Sequence, residues 1–254
     1  MLVAKRLGWY GKEILPSRYE IQRHVRLLSI NDCAELPVLH LTNGTQGASK
    51  LSILCLGAHS DDIEIGCGGT LLRLIGMYPC KVTWVVLSAT GRRRREAIAS
   101  AERFLMGVSS ASIITRAFKE SFFPFRGEQI KEYFEKLKKQ VNPDIIFTHY
   151  RDDWHQDHRV VSELTWNTFR RHQILEYEIP KYDGDLGRPN VYVPLSKKLA
   201  ETKVRYLMEG FATQRNRQWF SEDTFCALLR MRGIETHADE KYAEAFYGRK
   251  LVIG

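Results

Sequence analysis

Two short clusters of histidine and carboxylate residues stand out in this 254-residue sequence. The first, Gly57-Ala58-His59-Ser60-Asp61-Asp62-Ile63-Glu64, brings one imidazole and three carboxylates close together. The second, Asp152-Asp153-Trp154-His155-Gln156-Asp157-His158, adds two histidines three positions apart and more carboxylates. A catalytic zinc takes three protein ligands of these types and keeps a fourth position for water, whose pKa it lowers toward neutrality. A nearby carboxylate can take the water's proton, and an imidazole can stabilise an oxyanion or protonate a departing nitrogen. Alone, an Asp-Asp pair is ordinarily a turn or a helix cap, and a His-x-x-His is ordinarily a surface pair. Together, each following a buried strand, they point to a metal site.

The elements around the clusters must bring them together. Residues 51 to about 179 alternate between strand-like and helix-like patterns, which predicts βαβ units on a parallel sheet. The apolar runs Leu51–Gly57, Lys81–Leu87 and Asp144–His149 suit strands buried on both faces. Helices are predicted from about Arg93 to Met106, closed by Gly107, along Ile130–Val141 before Pro143, and from about His158 to Arg171. Lys181–Pro189 reads as a loop, Ser196 as the cap of a helix through Met208, and Asp223–Arg232 as a further amphipathic run. In an open parallel sheet the ligand crevice lies at the carboxyl ends of strands where their order reverses. The two clusters meet there if the first and fourth strands are neighbours. His149 closes a strand and is read as a core histidine.

The length fits one α/β domain with decorations. No stretch approaches the roughly 18 apolar residues of a membrane span, and the N-terminus lacks the apolar core of a secretory signal. Cys33, Cys55, Cys67, Cys80 and Cys226 form an odd set without a C-x-x-C pair, which suits free thiols in a reducing cytoplasm. Asn43-Gly44-Thr45 matches a glycosylation sequon but carries no weight without an export signal. The net charge of +8 suits an anionic small molecule, a nucleic acid or simply a solvated basic surface. The run Arg92–Arg95 sits poorly at a helix N-terminus, where the dipole favours anions, and raises an anionic ligand as a hypothesis.

At its two clusters the sequence resembles the LmbE/PIG-L family of zinc-dependent N-acetylglucosaminyl deacetylases. The family patterns A-H-P-D-D-x-E and H-x-D-H-x-x-V correspond to Ala58–Glu64 and His155–Val161, with Ser60 in place of the proline. Further likeness runs through Ile65–Leu71, Arg94–Ala97 and Tyr242–Phe246, so that residues 51–254 form the deacetylase-like domain and 1–50 an N-terminal extension of unknown role. The resemblance implies a Rossmann-like, doubly wound, mostly parallel sheet flanked by helices. It implies that His59, Asp62 and His158 hold one zinc ion, that Asp61 is the general base, and that His155 stabilises the oxyanion or protonates the leaving amine. Asp157 then orients His155, Glu64 supports the site, and Arg93 is a candidate substrate contact, since an arginine from this region contacts substrate in some relatives, although the loop after Leu87 is shorter here. Gly66, Gly68 and Gly69 do not fit a dinucleotide fingerprint and are read as backbone flexibility leading into a helix.

The expected activity is hydrolysis of an N-acetyl or N-acyl group from a small amino-sugar substrate, anionic or nucleotide-linked, in the cytoplasm. A glycosylated natural product or a thiol–sugar conjugate is the alternative substrate. A basic nucleic-acid-binding or regulatory protein with a vestigial metal site is the alternative of another class. The absence of a nucleic-acid module and the intact ligand set argue against it. Membrane attachment is not expected, and self-association is left open.

Overall fold

A computed structural model of the chain describes residues 50–250. The expected N-terminal extension, with Cys33 and the Asn43 sequon, lies outside the described residues apart from Lys50. Strands β1 (Leu51–Gly57), β2 (Cys80–Val86), β3 (Ser110–Thr115), β4 (Ile145–His149), β5 (Gln173–Tyr177), β6 (Val191–Leu195) and β7 (Tyr242–Tyr247) form one sheet in the order β3-β2-β1-β4-β5-β7-β6. The first five are mutually parallel. β7 runs antiparallel to both β5 and β6, and β6 forms the edge on that side. The order reverses between β1 and β4, which pair through Ile53–Ile145 and Cys55–Phe147. The juxtaposition required of the two clusters is therefore present.

Helices α1 (Asp62–Met77), α2 (Gly91–Phe104), α5 (Lys197–Gly210) and α6 (Glu222–Glu235) pack with one another, and α3 (Gly127–Lys138) packs with α4 (Gln156–Thr168). The strands feed two apolar cores. Ile53 and Cys55 of β1 join Val82 and Trp84 of β2 in one, while Leu54 and Leu56 join Ile130, Phe134 and Phe169 in the other. Burial on both faces is why these strands read as continuous apolar runs. One expected stop and one expected start are present: Gly107 adopts φ +85° after α2, and Ser196 Oγ accepts from the Leu199 amide at the start of α5.

Two local expectations change. Gly66 and Gly68 are not a flexible lead-in but interior positions of α1, where a Cβ would come within 2.2 Å of the Tyr177 ring and 2.6 Å of Phe104. They let the helix press against its neighbours, so that close approach rather than backbone freedom accounts for them. The sheet also extends through β3 and the β6–β7 edge, which the sequence patterns did not mark. Pro194 interrupts β6, and the residues of β3 are exposed or half-buried, so neither gives a clear apolar run.

Candidate active site

The loop after β1 carries His59, Ser60 and Asp61 into the first turn of α1, and the loop after β4 carries Asp152 to His155 into α4. His59, Asp61, Asp62, Asp157 and His158 are all buried. The near nitrogens of His59 (Nδ1) and His158 (Nε2) stand 3.1 Å apart. Asp62 spans both, with Oδ2 3.4 Å from His59 Nδ1 and Oδ1 3.6 Å from His158 Nε2. Ligand bonds of about 2.0–2.2 Å in a tetrahedral zinc site place donor atoms about 3.3 Å apart. The three residues expected to hold a metal are thus brought together at that scale.

The hydrogen bonds on the far side of each ring favour a cation between them. His59 Nε2 lies 3.2 Å from Asp157 Oδ2, and His158 Nδ1 lies 2.9 Å from Asp153 Oδ2. A neutral ring donates its proton to its carboxylate, which leaves a lone pair on each inward nitrogen. Two lone pairs 3.1 Å apart repel unless a cation lies between them. Without an ion, a proton takes that part: burial opposes charging His59, but Asp62 and then Asp157 raise it to about 10. Burial and then the neighbouring His149 push His158 down to about 3. The donor set fits a divalent cation.

Two further histidines adjoin the cluster, and each forms an alternative donor group: His59 with His155 and His158, or Asp62 with His149 and His158. Both have a ring nitrogen already engaged. His149 Nε2 accepts from the Ala58 amide, and His155 Nδ1 accepts from the Asp157 amide, capping α4. A neutral His155 therefore carries its proton on Nε2, as a donor. Burial, then the charge on His59, lowers its pKa. His149 is buried, as expected of a core histidine, yet it stacks on His158 at 3.9 Å and so also belongs to the wall of the site.

Asp61 occupies the N-cap position of α1 but makes no capping bond, and its buried Oδ2 has no partner. Burial, then repulsion from Asp62, raises it to about 6. Its other oxygen faces Arg93 Nη2 at 3.7 Å. Ser60, far from leaving the loop slack, accepts from Arg93 Nε at 2.9 Å, and Glu120 holds the same guanidinium. Of the four arginines in the run, Arg93 reaches the site loop, whereas Arg92 pairs with Glu96 and Arg94 donates to Thr115.

Two expected supporting contacts differ. The Asp157 carboxylate bonds to His59 and to the amides of Ser121 and Phe123, while His155 meets only the Asp157 backbone. Glu64 is fully buried with both oxygens unpartnered, and burial holds it well above the usual carboxylate range, so it supports the cluster through no hydrogen bond. Asp153 went unnoticed as a site residue. Its only sequence signal was a carboxylate in the same loop five positions before His158.

Residues 54–169 match the profile of the PIG-L family, described as GlcNAc-PI de-N-acetylase. The uncharacterized deacetylase YaiS of Escherichia coli is 29% identical over 143 residues, covering 52% of this chain and 75% of the relative. The N,N'-diacetylchitobiose deacetylase of Pyrococcus horikoshii superposes with a TM-score of 0.59 at 20% identity, over 77% of this chain and 82% of the other. GalB, the 4-carboxy-2-hydroxymuconate hydratase of Pseudomonas putida, superposes with a TM-score of 0.65 at 16% identity, over 80% and 97%. One fold thus carries a deacetylase and a hydratase, and likeness of fold does not choose between them. The profile match spans both site loops, so residues 54–169 carry the PIG-L (LmbE) family match.

Proposed function

We propose that the chain is a metal-dependent hydrolase that removes an acetyl group from the nitrogen of a small amino-sugar-containing molecule. The observation that carries this reading is the pair of inward nitrogens of His59 and His158, 3.1 Å apart and faced by the two Asp62 oxygens at 3.4 and 3.6 Å, beside a buried Asp61 oxygen with no partner. His59, Asp62 and His158 would hold the ion, and we take Zn2+ as that ion. When bound, it would polarise the acyl carbonyl and make water a better nucleophile near neutrality. Asp61, raised to about 6, takes the proton as the water oxygen adds to the carbonyl carbon. His155 donates a hydrogen bond from Nε2 to the oxyanion, and the proton held by Asp61 passes to the nitrogen as the carbon–nitrogen bond breaks. Acetate and a free amine leave. Asp157 holds His59 in the tautomer this requires, and Arg93, fixed by Ser60 and Glu120, is positioned to meet polar groups of the substrate. The family profile and the deacetylase relatives support this chemistry.

The test is release of acetate and a primary amine from N-acetylglucosamine and its glycosides, including nucleotide-linked forms. The chain loaded with Zn2+ should produce both in equal amounts, and Asp61→Asn should retain the ion yet release both far more slowly. Equal turnover by Asp61→Asn would overturn the role given to that carboxylate. Hydration of an unsaturated acid with no amine released from any acylated sugar would move the chain to the hydratase branch of the fold.

A further inference from the structure

We propose that Lys181, which lies beyond the family match, is a positioning residue for the metal ligand His158. The inference rests on the metal-site reading above. Lys181 stands at the start of the loop between β5 and β6, with its side chain 8% exposed. Its Nζ donates to Asp153 Oδ2 at 3.0 Å, the same oxygen that receives His158 Nδ1 at 2.9 Å. The other Asp153 oxygen accepts the His155 amide at 2.7 Å. Lys181 also donates to Asp185 Oδ2 at 2.5 Å, which accepts the Trp154 amide at 2.7 Å. Two carboxylates and one ammonium thus stitch the β5–β6 loop to the β4–α4 loop directly behind a candidate ligand.

That loop is itself anchored. Glu178 takes two bonds from Arg232 of α6, at 2.8 and 2.9 Å, and Arg232 also donates to the Gly187 carbonyl. Tyr247 of β7 donates to Glu178 as well. Hydrogen bonds at Glu178 and Gly187 thus fix the loop to α6 and β7 on either side of Lys181 and Asp185, and Lys181 holds Asp153, which receives the His158 ring. The family match ends at residue 169, so Asp153 lies inside it, while Lys181 and the loop that carries it lie outside. A carboxylate that holds a ligating imidazole fixes its tautomer and ring direction, and losing such a partner costs about 10–100-fold in metal affinity.

The sign of the effect separates positioning from simple charge. Lys181 is a buried cation close to the cation site, so by charge alone Lys181→Met should bind a metal ion more tightly. If Lys181 positions Asp153 and His158, the same change should bind it more weakly, by about tenfold or more. The experiment measures Zn2+ affinity of the full chain by competition with a chromophoric chelator, for wild type, Lys181→Met, Lys181→Arg and Lys203→Met. We expect Lys181→Met to weaken binding, Lys181→Arg to restore most of it, and Lys203→Met, which removes a more deeply buried lysine bonded to Glu244, to bind as wild type. Should Lys181→Met not fold, Lys181→Gln is read instead, and weaker binding is again expected, against the tighter binding that loss of the cation alone would give. Wild-type affinity or tighter binding in the variant read overturns the positioning role and leaves the metal-site reading intact. Failure of the wild-type chain to bind Zn2+ overturns both.

Discussion

At Glu178 and Glu244 every buried carboxylate oxygen is met, whereas at Asp61 and Glu64 buried oxygens are left without a partner. Glu244 takes Lys203 and the Gly69 amide on one oxygen and the Thr70 amide on the other, and Glu178 is shared by Arg232, Tyr247 and the Gly187 amide. These pairs tie the sheet edge to α1, α5 and α6. In the His/Asp cluster the opposite holds: inward lone pairs face one another, and Asp61 Oδ2 is desolvated without compensation. A fold keeps an unsatisfied buried carboxylate at a cost, and here that cost coincides with the point where the strand order reverses. The met carboxylates tie elements together, whereas the unmet Asp61 oxygen lies beside the His/Asp cluster, where the proposed chemistry takes place.

The largest expected difference between the two regions lies in His59→Ala against Lys203→Met. The first should abolish stoichiometric metal binding and activity while the domain stays folded, read by metal content and circular dichroism. Next comes Asp61→Asn, which should keep the ion and lower the rate of amine release by about 10²–10⁴-fold. Lys203→Met leaves Glu244 buried and unpaired and should lower stability by about 3–5 kcal/mol in denaturant unfolding, with the ion still bound. A smaller change is expected from Asp157→Asn, which weakens the hold on His59 and should cost about 10–100-fold in metal affinity by chelator competition. Smallest is Ser60→Ala, which removes one hydrogen bond to Arg93 and should cost about 1 kcal/mol, seen as a raised KM. Loss of the ion in Lys203→Met but not in His59→Ala would invert the comparison.

Much of the fold was legible because β1, β2 and β4 are buried on both faces and so read as apolar runs. The pairing of β1 with β4 could be anticipated from the doubly wound pattern. The antiparallel edge was not, since Pro194 and the alternating Tyr242–Tyr247 give weak local signals. The site divided in the same way. The spacing of His59, Asp62, His155 and His158 is local and carried the resemblance, and the structure brings these residues together. Contacts between loops distant in sequence were invisible: Asp157 to His59, Arg93 to Ser60, and Lys181 to Asp153 join residues 98, 33 and 28 positions apart. Glu64 was placed beside the site from its motif, but the motif cannot convey that its carboxyl is buried away from any hydrogen bond.

The central claim is that the cluster at the β1–β4 crossover binds a divalent ion through His59, Asp62 and His158. Titration of the purified, chelator-stripped chain with Zn2+, alongside His59→Ala and His158→Ala, tests it most directly. One tightly bound ion per wild-type chain, lost in both variants, is the predicted result. An ion bound as tightly by the two variants as by the wild type, or none bound by any of the three, would contradict it.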